Sequence, residues 1–353
     1  MSHVVVLGGG YGGLTVVHDL LENIPNNVRV TLVDRMPFGS LKTEFYALAA
    51  GTTSELDIRV AFPSHPQLDI VYGNVADVDL QRRVVKFAPG ERDELPFDSL
   101  VIALGCTDNY HGIPGAAEYS VGVQSLSATR KTYQTLNDTR PYGQVTIVGG
   151  GLSGVEVASE LRESRPDLNI RILDRSSLLS AFPGKLQHFA ASWFHEHQVE
   201  LRSQVHITRL EEGVIYNGDE EIRTDVTVWT AGIQPVELVQ KMTLPKDGQG
   251  RLIVNEYHEL DAAPNVFVIG DCSSQPYSPS GQLAQAQGSQ VAHVIEARWR
   301  GSNPKLPRIR LKGTLGSLGK KSGFGLMGTT PIMGRVPRLL KSGVLWKSRR
   351  HFG

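Results

Sequence analysis

The chain carries one pattern of apolar and polar positions twice. Val4 to Leu7 form an unbroken apolar run, the mark of a parallel strand buried on both faces. Gly8, Gly10 and Gly13 follow in G-x-G-x-x-G spacing, and Leu14, Val17, Leu20 and Leu21 then recur at helical intervals. A further strand pattern, VRVTLV, ends at Asp34, 21 residues after Gly13. The second copy keeps this register. VTIV precedes Gly149, Gly151 and Gly154, a helix is predicted from Leu152 to Glu163, and IRIL ends at Asp174, 20 residues after Gly154. Strand, glycine turn, helix, strand and acid together predict a dinucleotide-binding unit. The glycines allow a tight turn and close approach of backbone to a pyrophosphate, and the helix N-terminus faces the phosphate charge.

The two acids refine this picture. A carboxylate at Asp34 can accept hydrogen bonds from both hydroxyls of an adenosine ribose. At Asp174 a carboxylate repels a 2′-phosphate, which favours NADH over NADPH, although the neighbouring Arg175 is a side chain suited to hold that phosphate. Two such sites on one chain suggest electrons passing from one bound dinucleotide to another. Later, NVFVIGDC predicts a strand running into Gly270 and Asp271, where a carboxylate can reach a ligand; taken alone it reads equally well as a turn.

Composition narrows the class. A chain of 353 residues, 40% hydrophobic and 20% charged, suits two domains or one large α/β unit. Cys106 and Cys272 lie far apart in sequence and outside any C-x-x-C pattern, so small core thiols in a reducing, cytoplasmic compartment are expected. The start, MSHVVVLGGG, lacks a basic region followed by a long apolar run, and no stretch of 18 apolar residues predicts a membrane span. The 11 histidines show no metal-ligand spacing, so no metal is expected. Charge is balanced overall but segregated: 14 of the 36 Lys and Arg, and none of the 36 Asp and Glu, fall in residues 298–353.

The paired fingerprints, LVIALG (Leu100 to Gly105), VWTAGIQP (Val228 to Pro235) and VFVIGD resemble the two-dinucleotide flavoprotein disulfide-reductase superfamily. Within it, EFYALAAGT, FDSLVIALGCTDNYHGIPGAAEYS, GGGLSGVEVASEL, GQLAQAQGSQVA and KGTLGSLGKKSGFG are similar to type II, non-proton-pumping NADH dehydrogenases and related NADH:quinone oxidoreductases. The resemblance implies an α/β fold with two Rossmann-like domains. An NADH domain (113–259) would be inserted in a discontinuous FAD domain (1–112 and 260–305), followed by a basic C-terminal segment (306–353). It implies FAD on Gly8, Gly10, Gly13, Asp34 and Gly105, NADH on Gly149, Gly151, Gly154, Asp174 and Gly232, and the flavin's ribityl chain on Gly270 and Asp271.

Glu156, two residues beyond Gly154, stands where the superfamily often places a glutamate near nicotinamide and flavin; it could orient the nicotinamide or relay a proton. Glu160, one turn on, reads as an ordinary solvated helix residue. Lys42 lies in a loop comparable to one that supplies a lysine near the flavin in disulfide reductases, so it reads either as the partner of Glu156 in an ion pair or as an exposed loop lysine. The family's acceptor motif, Ala-Gln-x-Ala-x-Gln, maps onto Gly281, Gln282, Ala284 and Ala286, so Gln282 and Ala286 are candidate acceptor-site residues and the second glutamine is missing. Two further departures are LKTEF, where a proline-containing segment is expected, and an end at Gly353, short of the family's usual length.

The expected activity is two-step transfer from NADH through FAD to a quinone. Reduction of a small carrier protein, in the manner of rubredoxin or ferredoxin reductases, and a nucleotide-responsive flavoprotein acting through a partner are the alternatives. Val336, Leu339, Leu340, Gly343 and Trp346 recur at helical spacing among cations, with Pro337 tolerable only near the start of the helix. Such a helix can lie on an anionic membrane surface, on the inner face of the cell membrane, dock on the body of the protein, or form a homodimer contact. Few stacking aromatics accompany the basic run, so nucleic acid is not an expected partner.

Overall fold

The computed structural model describes residues 2–352, with side chains through Leu345. Its first sheet runs Glu259–Leu260, Ala263–Val268, Ser99–Ile102, Ser2–Leu7, Val28–Asp34, Leu68–Tyr72, parallel except for the antiparallel edge strand Glu259–Leu260. Val4 to Leu7 are completely buried, as a parallel strand covered on both faces requires. Successive strands turn to opposite sides of Ser2–Leu7, and the crevice beyond the strand ends at that reversal is where an open α/β sheet takes its ligand. The helix Tyr11–Glu22 packs there against the late helix Gly281–Trp299. Their approach is close enough that a Cβ on Gly288 would lie 2.6 Å from the Gly12 carbonyl oxygen, so any larger residue would push the helices apart.

The second sheet is wholly parallel, in the order Val121–Gly122, Val226–Trp229, Gln144–Val148, Asn169–Leu173, Val199–Arg202. Its strands all fall between two segments that contribute to the first sheet. A two-stranded antiparallel ribbon, Cys106–Asp108 against Ile233–Pro235, carries the chain out to the second sheet and back.

The basic C-terminal segment is more than a tail. Gly313–Leu318, Ser322–Met327 and Thr330–Gly334 form an antiparallel sheet, and the helix Arg335–Phe352 follows. Leu318 and Phe324 are fully buried in a core shared with the helices Phe45–Ala49 and Leu152–Ser164. The C-terminal helix turns Pro337 and Lys341 inward, with Val336, Leu339, Leu340 and Val344 exposed. This inverts the usual arrangement of a surface helix. Trp346 lies outside the described side chains. Among the described residues no helix is long and apolar enough to cross a membrane.

Candidate functional site

The two fingerprints fold to the same local geometry. Gly8 and Gly149 have φ of 100° and 109°, a conformation that resists any side chain. Asp34 accepts from Gly9 N at 2.7 Å and Met36 N at 2.8 Å; Asp174 accepts from Gly150 N and Ser176 N, both at 2.7 Å. Burial raises the Asp34 carboxyl above its ordinary range, against the pull of these backbone N–H groups. Gly10 and Gly151 are the N-caps of the two helices. Neither makes a side-chain cap, and a Cβ on either would meet nothing within 4 Å. Helix N-termini beside open space, each with a carboxylate at the adjacent strand end, fit a pyrophosphate and a ribose in both places. Gly105 and Gly270, both at positive φ, border the first crevice, and Gln287 accepts from Gly270 N at 2.8 Å, fixing the turn that presents Asp271. Gly232 opens the return strand of the ribbon.

Lys42 does not meet Glu156. Its ammonium donates to Cys106 Sγ at 2.9 Å and lies 3.9 Å from Asp271, with Asp108 adding to the field that raises its proton affinity despite burial. Several partners on the FAD side thus hold this cation, and Glu156 finds its countercharge elsewhere. Both cysteines are buried, but they sit at this crevice rather than in a remote core: Cys272 Sγ donates to the Gly105 carbonyl at 3.1 Å. Burial pushes each thiol up to about 12. Asp108 is also desolvated and raised to about 6, and its Oδ1 has no hydrogen-bond partner among the described residues.

Glu156 is 6% exposed and pairs with Lys341 of the C-terminal helix, which is 7% exposed. Glu156 also accepts from Ser317 N at 2.9 Å. Lys341 donates to Tyr46 Oη at 2.9 Å and stands 4.1 Å from the centre of the Tyr46 ring. Three distant segments therefore close on one buried acid–base pair. Desolvation raises the Glu156 carboxyl above its ordinary range, with Lys341 opposing. Glu160 is buried on the same helix face, not solvated as its position suggested, because the C-terminal sheet covers that face. Glu44 faces the same group and is likewise raised by burial.

The acceptor-motif positions divide. Gln282 accepts from Lys312 N at 3.0 Å, tying the late helix to the C-terminal sheet, and Ala286 is half-buried. Gln287, one residue past the position of the missing glutamine, is fully buried against Gly270 and Ser273. Sequence reasoning missed Glu44, Tyr46, Gln287, Ser317 and Lys341. Only the unusual LKTEF segment and the lysine interrupting an apolar helical stripe hinted at any of them.

A family model described as pyridine nucleotide-disulphide oxidoreductase matches residues 2–292. The chain belongs to this family. Among similar proteins, the NADH dehydrogenase-like protein YutJ of Bacillus subtilis is 48% identical over 357 residues, with 100% of both chains covered. The type II NADH:quinone oxidoreductase of Staphylococcus aureus is 25% identical over 376 residues, covering 96% of this chain and 92% of that protein. Two solved structures share the fold of this pyridine nucleotide-disulphide oxidoreductase. NDH2 from Plasmodium falciparum in complex with NADH has a TM-score of 0.85 at 18% identity, covering 99% of this chain and 96% of the other. The sulfide:quinone oxidoreductase of Aquifex aeolicus has 0.83 at 21%, covering 99% and 92%. This pyridine nucleotide-disulphide oxidoreductase is homologous to the type II enzymes and is an NADH-dependent flavoprotein, with FAD and NADH as its dinucleotides.

Proposed function

We propose that the protein is an NADH:quinone oxidoreductase whose quinone is reduced beside the Glu156–Lys341 pair. That buried pair carries the reading, together with the likeness to the Staphylococcus aureus type II NADH:quinone oxidoreductase. FAD, when bound, accepts a hydride equivalent from NADH and returns the electrons to the acceptor. The first sheet, with Gly8, Gly10, Gly13, Asp34, Gly105, Gly270 and Asp271, would hold FAD; the second, with Gly149, Gly151, Gly154, Asp174 and Gly232, would hold NADH. The corresponding domains are 1–112 with 260–305, and 113–259. Lys42, held by Cys106 and Asp271, would orient on the flavin side, while Gln282 and Ala286 line the acceptor approach. Glu156 would hold the proton that the acceptor takes, and Lys341 would keep that carboxyl at the junction.

The exposed Val336, Leu339, Leu340 and Val344, on a segment rich in cations and free of acids, support reversible contact with an anionic membrane surface from the cytoplasmic side. Cosedimentation with phosphatidylglycerol vesicles, but not phosphatidylcholine vesicles, would measure it. The acceptor is tested by anaerobic spectroscopy. NADH should bleach the flavin band and a short-chain quinone should restore it; bleaching without recovery would reject quinone and transfer the role to a carrier protein.

A further inference from the structure

Glu44 is a buried carboxyl that neither caps a helix nor sits in a close ion pair among the described residues. It is 9% exposed and occupies the N-cap position of the helix Phe45–Ala49, yet its side chain does not cap that helix. Among the described residues it makes no ion pair within 4 Å, and its one side-chain hydrogen bond is from Tyr46 Oη, 3.3 Å away. Such burial is unfavourable even with the Lys341 and Arg338 charges opposing it, and an apolar residue would pack the site at less expense. What the position does provide is continuity. Tyr46 Oη touches Glu44 at 3.3 Å, accepts from Lys341 Nζ at 2.9 Å and meets Ser317 Oγ at 3.1 Å, while Lys341 Nζ also donates to Glu156. Glu44, Tyr46, Lys341 and Glu156 form an unbroken hydrogen-bonded chain drawn from three helices and the turn before one of them.

We propose that Glu44 reprotonates Glu156 through Tyr46 and Lys341 during reduction of the acceptor. The inference rests on the reading that Glu156 supplies the acceptor's proton. Reduction of a quinone to a quinol takes two electrons and two protons. NADH brings both electrons and one proton as hydride, so the second proton comes from water. When Glu156 gives up its proton, Lys341 donates one to it. Lys341 then takes the Tyr46 hydroxyl proton, and Tyr46 takes the Glu44 carboxyl proton. Each hydrogen bond reverses, no charge is left on the tyrosine, and Glu44 is refilled from solvent.

The charged and titratable groups around the chain come from every element packed on it. Tyr11 faces Glu44 from the first fingerprint helix, Glu160 faces Glu156 from its own helix, and Arg338 faces Glu44 from the C-terminal helix. The Gly313–Leu318 strand contributes Ser317. Desolvation raises Glu44 above the ordinary carboxylate range, with Lys341 and Arg338 opposing.

The experiment compares two oxidants on NADH-reduced holoenzyme by anaerobic stopped flow. Ferricyanide takes electrons without protons, whereas a short-chain quinone needs both. Glu44→Gln is expected to slow flavin reoxidation by the quinone by roughly tenfold or more, to alter its pH profile, and to leave reoxidation by ferricyanide at the wild-type rate. Small weak acids such as formate should restore the quinone rate of Glu44→Gln, and Glu44→Asp should retain most of it. Glu44→Gln matching wild type with quinone, slowing equally with both oxidants, or gaining nothing from small acids would overturn the relay. If wild type recovers with ferricyanide but not with quinone, the acceptor assignment falls instead. The same comparison is then run with dioxygen, which also takes up protons, and it supports or rejects the relay by the same criteria.

Discussion

Replacing Lys341 with methionine removes the countercharge of a carboxyl that is 6% exposed. Stranding one member of a buried ion pair typically destabilises by about 3–5 kcal/mol, but a carboxyl can escape part of this by taking up a proton. The escape has a ceiling. From the ordinary glutamate value of 4.5, protonation at pH 7 costs at most about 3.5 kcal/mol, at about 1.4 kcal/mol per unit. At pH 5 the same ceiling is below about 1 kcal/mol. The sign follows from linkage. Glu156 in the variant has a folded-state proton affinity raised above that of the unfolded chain, so the folded variant is favoured at low pH. That advantage is lost as pH rises from the unfolded value toward the folded one. Lys341→Met should therefore melt close to wild type at pH 5 and roughly 7–14 °C lower at pH 7, for a cooperative unit of some 150–250 residues. Thermal unfolding followed by tryptophan fluorescence and by flavin release checks both points. The double variant Glu156→Gln with Lys341→Met should recover most of the loss, because neither partner is then left charged. A melting temperature within about a degree of wild type at pH 7, or a penalty that does not grow with pH, would refute the reasoning.

The remaining predictions concern the dinucleotide sites and the thiols. Gly10→Ala should fold normally, because its Cβ enters open space, yet lose bound FAD as read from the 450 nm absorbance per chain, about 450 nm being the flavin's own band. Gly13→Ala should instead fail to accumulate as folded protein, because its Cβ runs into the Gly8 carbonyl. Asp174→Asn should lower the NADH over NADPH preference in kcat/KM by roughly tenfold, since it removes the repulsion of a 2′-phosphate while keeping an acceptor for one of the Gly150 and Ser176 amides. An unchanged ratio would assign cofactor choice to other residues. Cys106 and Cys272, with thiols pushed to about 12, should react with a maleimide at pH 7 at least roughly a hundredfold more slowly in the folded protein than in denaturant, as mass spectrometry of timed samples would show.

Much of this protein is written locally. Val4 to Leu7 are apolar without interruption, and Val145, Ile147 and Val148 are broken only by the buried Thr146, because parallel strands covered on both faces disfavour polar side chains. Gly8 and Gly149 stand where φ must be positive, and Asp34 and Asp174 lie within reach of the turns they brace. Each constraint acts over some thirty residues or fewer, roughly the span of a βαβ unit, so it leaves its trace in spacing alone. The two fingerprints, their order and the late Gly270–Asp271 turn are for that reason legible before any fold is known.

The partner of Glu156 is not. Lys42 and Lys341 are both lysines in segments that end near the junction, and spacing gives no means of choosing between them. The choice is made by packing. The sheet from Gly313 to Gly334 seats Leu318 and Phe324 in the core of the second unit and turns Pro337 and Lys341 inward. Lys42 is meanwhile drawn to Cys106 and Asp271. The burial of Glu160 and the outward apolar face of the C-terminal helix have the same origin. Each depends on contacts between residues more than a hundred positions apart, or on what a neighbouring segment leaves uncovered. A buried charge is stable only where another segment brings its counterpart, and that meeting exists only in the folded chain.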